Sequence, residues 1–333
     1  MKRIKKLFFL TLTFILIFSV SASAQAPQKE SVTLKISNVI EEGGILSPWY
    51  KVLVQSAREK SKGTLNIQVY WNSQLGGERE ALEALKLGNI DMQVVTGAVL
   101  SVFIPQFKTF ELPFLVPSIE AWDKFWRSPI AKEIYASGEK SGIKVLTSSL
   151  YSFRFVTNNV RPITKASDFK GIRMRTMQVP MHLDTMKALG ASATPIPFPE
   201  LYTALQTGVV EGQVNPYDVI SERKLWEVQK YLSEVPLFIS SDHWVVGVKT
   251  WNKLSSDHKK LLLDLAREFE PYYEKIGADG ENVAKNRALE IGKMKFNKAD
   301  DLSTFIAAVK PVYDQFLKEN PSAAPIVKFF QGK

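Results

Sequence analysis

Two arginines, Arg173 and Arg175 in the stretch GIRMRTMQVPMHL (171–183), are the side chains of this sequence best suited to binding chemistry. They stand among Ile172, Met174 and Met177 in what reads as a short strand, and no acid follows within several residues. A planar guanidinium can grip a carboxylate through two parallel hydrogen bonds, which lysine cannot reproduce. Strand alternation places Arg173, Arg175 and Met177 on one face and Ile172 and Met174 on the other, so the pattern alone leaves open which arginine is buried. Arg175 stands just before a helix expected to start near Pro180, and open α/β sheets bind ligands outside the carboxyl ends of their strands. Arg154, in SFRFVTN, holds a comparable place earlier in the chain.

Other chemistries find no footing. The chain has no G-x-S-x-G, H-E-x-x-H or G-x-G-x-x-G, and SGEKSGIK resembles a phosphate loop by composition only. His182, His243 and His258 have no acid or cysteine at ligand spacing, so no metal is expected, and His258 in SSDHKK reads as exposed. Glu41 and Glu42 fall in a loop and read as solvated. No feature asks for an enzyme or a cofactor.

The elements that must position the arginines follow from pattern. The chain opens with MKRIKK, an apolar run Leu7 to Val20, and SASAQA, the order of a secretory signal, with cleavage expected after Ala24. That run falls short of the roughly 20 residues a bilayer span needs. With no cysteine, there is neither a lipid-anchored start nor a disulfide framework, and stability must come from a large core. The net charge is +9, with Lys2, Arg3, Lys5 and Lys6 in the leader; the remaining basic residues are scattered among acids, which argues against nucleic acid as a partner.

SVTLKISNVI reads as a strand, Pro48 to Lys60 as a helix and GTLNIQVYW as a second strand, a βαβ opening that favours a parallel sheet. GGEREALEALKLGNIDMQVVTG continues as a helix with Leu82, Leu85 and Leu87 as apolar contacts, a stop at Gly88, and a strand over Asp91 to Val95. FIPQFKTFELPFLVPS is too rich in proline for one regular element and reads as a loop over the core. After helical Ile119 to Ser137 and the extended SGIKVLTSSLYSFRFVTN, the rhythm restarts near Ser152: strand KGIRMRTM, helix MHLDTMKALG, extended ATPIPF, helix PELYTALQTG, then VVEGQVNP. Two similar α/β halves with no flexible linker imply two lobes with a cleft between them. A long helix from Ser255 to about Ile291, which Pro271 can bend, would lie across both, and shorter helices fill Asp300 to Phe330.

The ordered combination QLGGEREALEALKLGNIDM, FELPFL, KGIRMRT, PFPELYTALQTGVVEGQVNP and EVQKYL resembles the DctP-type solute-binding proteins of tripartite ATP-independent periplasmic (TRAP) transporters, over essentially the whole mature chain. The resemblance implies an α/β, two-lobed periplasmic-binding-protein-like fold, each lobe a mostly parallel sheet flanked by helices, with a long helix bridging them. It implies a signal peptide over 1–24, a first lobe of 25–151 plus about 241–282, and a second of 152–240 plus about 283–333.

The family's carboxylate-binding arginine, in G-[IL]-[KR]-x-R, matches Arg175, and its second arginine matches Arg154, although Ser152 stands where glycine is common. Asn215 in GQVNP matches the asparagine that orients the carboxylate, with Val214 where an acid or amide is often found. Phe198 matches an aromatic wall, and Gln178 follows Arg175 at contact spacing. Glu78 and Thr96 fall on positions that tune specificity in sialate-binding relatives, and Asp242, His243 and Trp244 lie where the chain recrosses the hinge. The resemblance implies a non-catalytic periplasmic monomer that takes up a small organic acid, such as a C4-dicarboxylate or other mono- or dicarboxylate, and delivers it to the small and large membrane permease subunits. A ligand-sensing module for a membrane receptor, or a cleft enzyme such as a lyase, would share the same cleft.

Overall fold

The computed structural model describes residues 31–299 and 301–332. The expected signal segment, residues 1–24, lies outside them.

Helices and strands alternate at first as the pattern requires. β1 (Val32–Ser37) leads into α1 (Ser47–Lys60), which starts on Pro48, and β2 (Leu65–Tyr70) follows. α2 (Glu78–Leu87) ends on Gly88, whose φ of 89° supplies the left-handed turn that closes a helix without a Cβ penalty. α2 buries Glu78, Ala81, Leu82 and Leu85. Leu87, expected among its apolar contacts, falls on the other side of the helix and is 65% exposed. β3 (Met92–Thr96) feeds α3 (Gly97–Phe103), which the sequence pattern did not reveal. The proline-rich stretch then contains a 3-10 turn, Pro105–Glu111, whose Phe107 and Phe110 are buried.

The helical region after it is two helices, α4 (Ile119–Trp126) and α5 (Pro129–Lys140), parted where Pro129 starts a new one. β4 (Ile143–Asn158) is followed by β5 (Arg173–Thr176), α6 (Pro180–Ala188), β6 (Ser192–Pro195), α7 (Leu201–Gln206), β7 (Gly212–Asn215) and α8 (Tyr217–Glu222). β8 (Tyr231–Gly247) and α9 (Val248–Lys253) precede α10 (Ser256–Asn286), which runs on into a π-turn at Arg287–Ile291. β9 (Lys295–Lys298), α11 (Ser303–Glu319) and α12 (Ala324–Phe330) complete the chain.

Among the described residues the strands form one mixed sheet in the order β2-β1-β3-β8-β4-β7-β5-β6, with β9 beside β8. β2, β1 and β3 are mutually parallel at one end, and β7, β5 and β6 at the other. Two long strands, β4 and β8, run antiparallel through both ends and join what the sequence suggested were two separate sheets. β8 meets β3 through Met92↔Val246 to Thr96↔Asp242, and β4 meets β7 through Phe155↔Asn215 to Asn158↔Gly212. The β4–β8 register shifts between Leu150 and Ser152, beside Ser240 and Ser241.

α10 has 31 residues and, at about 1.5 Å each, spans roughly 45 Å. Its first part buries Leu262, Leu265 and Phe269 against α1, with Trp49 Nε1 donating to the Phe269 carbonyl at 3.0 Å. It then passes so close to β4 that a Cβ on Gly277 would lie 2.6 Å from the Tyr151 side chain. Its last part sets Ala284 against Leu201, Tyr217 and Ile220 near α7 and α8. The helix thus touches both ends of the sheet.

The C-terminal stretch expected with the second lobe divides its packing. Phe305 and Val309 join Phe169, Met174 and Met186 behind β5, whereas Ile326, Val327 and Phe330 pack with Phe110 and Phe125 near the first end. His258, expected to be exposed, is half-buried, with Nε2 3.0 Å from Thr64 Oγ1.

Candidate functional site

Alternation puts Ile172 and Met174 into the core beside Phe169 and Met186 and turns Arg173, Arg175 and Met177 the other way. Position along the strand then separates the arginines. Arg173, at the strand's start, has its side chain 51% exposed, 3.3 Å from Glu211, and donates from Nη2 to the Gly208 carbonyl. Arg175, near the carboxyl end, is 2% exposed and lines a cavity enclosing about 700 Å³, mouth included. Its Nε donates to the Ile196 carbonyl at 2.9 Å. Burial, and secondarily the charge of Arg154, pull its pKa down to about 9.

Arg154 comes from β4, is 5% exposed and lines the same cavity. Its Nη1 donates to Asn215 Oδ1 at 2.6 Å, and its buried Nε has no partner. Asn215, at the end of β7, donates from Nδ2 to Gln213 Oε1; Gln213 Nε2 donates to Thr157 Oγ1 at 2.8 Å, and Thr157 donates to Gln229 Oε1 at 2.9 Å. This chain of amides fixes the Asn215 rotamer and so the aim of Arg154. Among the described residues neither Arg154 nor Arg175 is ion-paired with an acid. Two buried guanidinium groups at one cavity, with Glu78 and Asp242 near but not ion-paired to them, are costly unless an anion joins them.

The cavity also carries acids and phenols. Glu78, the first residue of α2, turns back to accept from Thr96 N at 2.7 Å and from Thr96 Oγ1 at 3.2 Å, and burial lifts its pKa to about 7. The Thr96 hydroxyl caps α3 as well, so Thr96 lines the cavity chiefly as the support of Glu78. Asp242 faces Thr96 across β3 and β8, accepts from the Tyr273 hydroxyl, and has its pKa raised by burial. Phe198 lines the cavity with its ring under the Arg223 guanidinium, 5.0 Å away.

Two expected residues stand elsewhere. Gln178 lies beyond Met177 in a small neighbouring pocket shared with Glu78, Arg175 and Phe198. His243 is on the opposite face of β8 from Asp242, as a period of two requires. It is fully buried, with Nδ1 2.7 Å from Ser148 Oγ and its ring against Phe107, and burial drives its pKa down to about 3. It is therefore a neutral core residue. Trp244 returns to Asp242's side but packs edge-on against Trp49.

Sequence reasoning missed Asn38, Tyr50, Tyr151, Asp218, Ser240 and Tyr273, all of which line the cavity. Asn38 directly follows β1, at the carboxyl end of a parallel strand, and that position was the signal that could have found it. Both its amide atoms are buried with no partner. Asp218 accepts from the Tyr151 hydroxyl at 3.1 Å; burial, then Glu281 and Glu222, push its pKa well up. Partners so far apart in sequence leave no local pattern. The arrangement can bind an anion through its arginines and hydroxyl groups through Asn38 and the carboxylates.

Residues 41–320 match the family described as bacterial extracellular solute-binding protein, family 7. The chain is 30% identical over 270 residues to a solute-binding protein of Verminephrobacter eiseniae, covering 81% of this chain and 80% of that one. It is 28% identical over 314 residues to the sialic acid-binding periplasmic protein SiaP of Vibrio cholerae, covering 92% and 95%. Its fold superposes with a TM-score of 0.86 and 30% identity on a TRAP periplasmic solute-binding protein of Polaromonas solved with D-erythronate bound, covering 90% of this chain and 98% of that one. The chain therefore belongs to the DctP-type solute-binding proteins of TRAP transporters.

Proposed function

We propose that this protein captures a small hydroxylated monocarboxylate, of the sugar-acid kind, and delivers it to the small and large membrane subunits of a TRAP permease. The observation that carries this reading is the pair of buried arginines, Arg175 and Arg154, which make no ion pair with an acid among the described residues and share one cavity with Asn38, whose amide has no protein partner. The ligand carboxylate pairs with Arg175; Arg154, held by Asn215, adds further hydrogen bonds, and Phe198 packs on the carbon skeleton. Asn38 reads hydroxyl groups with one donor and one acceptor. Low polarity around the pair strengthens these bonds.

The carboxylates in the same cavity favour a single negative charge on the ligand. A C4-dicarboxylate would bring its second carboxylate toward Glu78, Asp218 or Asp242, acids that burial already holds toward the protonated form and that a further anion would force to stay protonated, at a cost to binding. The sialate and erythronate bound by the two relatives are hydroxylated monocarboxylates, which supports the same choice.

The protein works as a monomer, exported by the leader at 1–24. It closes by bending where β4 and β8 change register, near the expected lobe boundaries at 151/152 and 240/241. A thermal-shift panel of D-erythronate, sialate, glucuronate, succinate and malate on purified protein tests the proposal, because a ligand that binds only the folded state raises its Tm. Stabilisation by hydroxylated monocarboxylates above the dicarboxylates supports it; stabilisation by succinate or malate alone refutes it. The bound acid should be recovered unchanged after long incubation, since no turnover is proposed.

A further inference from the structure

The C-terminal end of α8 reaches across the cavity's rim with two adjacent charged side chains, Glu222 and Arg223. Glu222 Oε1 accepts from the Ile45 N–H at 2.5 Å. Arg223 Nη1 donates to Glu41 Oε1 at 2.9 Å, and its Nη2 donates to the Val39 carbonyl at 2.8 Å and to Asn72 Oδ1 at 2.9 Å. The guanidinium plane is backed by the Phe198 ring, 5.0 Å from its centroid. Glu222, Arg223 and Phe198 follow β6 and β7 at one end of the sheet, whereas Val39, Glu41, Ile45 and Asn72 follow β1 and β2 at the other. Val39, Ile40, Phe198, Glu222 and Arg223 all line the cavity, so these contacts form part of its wall.

Gly44 completes the arrangement. A Cβ there would sit 2.8 Å from both Glu222 carboxylate oxygens, so the carboxylate lies directly on a position with no side chain. Its φ is not in the left-handed region, so alanine at 44 would push the Glu222 carboxylate, the end of a flexible side chain, off the Ile45 N–H without backbone strain.

We propose that Glu222 and Arg223 form a clasp, made of protein–protein contacts alone, that favours the closed arrangement of the two ends of the sheet and slows release of whatever the cavity holds. The clasp rests on the two-ended, closing cavity of the proposed function, but it takes no part in recognising the carboxylate. Because the same contacts must break each time the ends separate, the clasp shifts the opening equilibrium and acts mainly on the dissociation rate. Charge-assisted hydrogen bonds at a partly exposed rim contribute enough that losing Arg223 should speed release by about tenfold.

Two measurements test it, one of them independent of any ligand. The chain has no cysteine, so Arg58→Cys in α1 and Gln206→Cys in α7, both exposed, give a single spin-labelled pair reporting the separation of the two ends. In ligand-free protein, adding Arg223→Ala or Gly44→Ala should move the distance distribution toward longer values. Stopped-flow release of D-erythronate should then be about tenfold faster in Arg223→Ala and faster by a smaller factor in Gly44→Ala, with the association rate unchanged or higher. Gly44→Ala keeps every charged group, so the test survives if Arg223→Ala fails to fold. An unchanged distance distribution in Gly44→Ala overturns the clasp, as does an unchanged release rate beside an altered distribution. If D-erythronate and the other acids fail to bind the unsubstituted protein, the proposed function fails while the distance measurement still decides the clasp.

Discussion

Arg175→Ala removes the one group whose surroundings are hardest to explain without a guest anion. The side chain is 2% exposed, it spends only Nε on the protein, and no carboxylate is ion-paired with it among the described residues. Truncating one member of a buried, hydrogen-bonded charge pair costs about 2–5 kcal/mol. That corresponds to a Kd raised roughly 30- to 4,000-fold, since about 1.4 kcal/mol is a factor of ten. Arg175→Lys keeps the charge and loses the fork, so it should fall between the two.

The ligand-free variant should not be less stable, because burial pulls the Arg175 pKa down to about 9 and so makes its charged form a burden on the fold. A guanidinium keeps its proton over the whole pH range in which a protein is folded, so this burden is carried at every working pH until an anion pairs with it. Isothermal titration calorimetry with the best acid from the thermal-shift panel, paired with melting curves, measures both. An unchanged Kd in folded Arg175→Ala protein would refute the assignment.

Other outcomes follow from neighbouring residues. Arg173→Ala should change Kd by less than about twofold, since its charge is exposed and answered by Glu211; calorimetry on the same acid checks it. Asn38→Ala should weaken binding of a hydroxylated acid by roughly tenfold, the worth of about one or two hydrogen bonds, and leave binding of its deoxy analogue nearly unchanged. The folded pKa values of Glu78 and Glu281 lie at about 7 and that of Glu274 at about 8, all above the usual carboxylate value because of burial. Each then loses stability as pH rises from its unfolded toward its folded pKa, so the ligand-free protein should melt higher at pH 5 than at pH 8. A Tm independent of pH over that range would contradict it.

The sequence was most legible where one period governs one element. β5 and α6 could be read directly because apolar alternation, Pro180 and Gly190 all agree. β8 was not recognised: YLSEVPLFISSDHWVVG holds a proline and a polar run, and a strand serving both ends of the sheet with shifted registers keeps no single alternation. For the same reason two expected sheets proved to be one. Leu87 shows the limit of reading apolar residues without a helical phase.

Within the site, residue type marked Arg175 and Arg154, but alternation could not choose between Arg173 and Arg175, which share a face; depth along the strand does. Asp242 and His243 were expected together, and adjacency in a strand is what separates them. The contributions of Tyr273 and Asp218 depend on partners brought in by α10 and β4, which no local pattern announces.

A crystal structure of the protein with the acid that most raises its Tm tests the central claim most directly. One carboxylate should lie within hydrogen-bonding distance of the Arg175 guanidinium, with Arg154 beside it and hydroxyl groups on Asn38. A ligand whose carboxylate lies away from Arg175, or that binds outside this cavity, would contradict it.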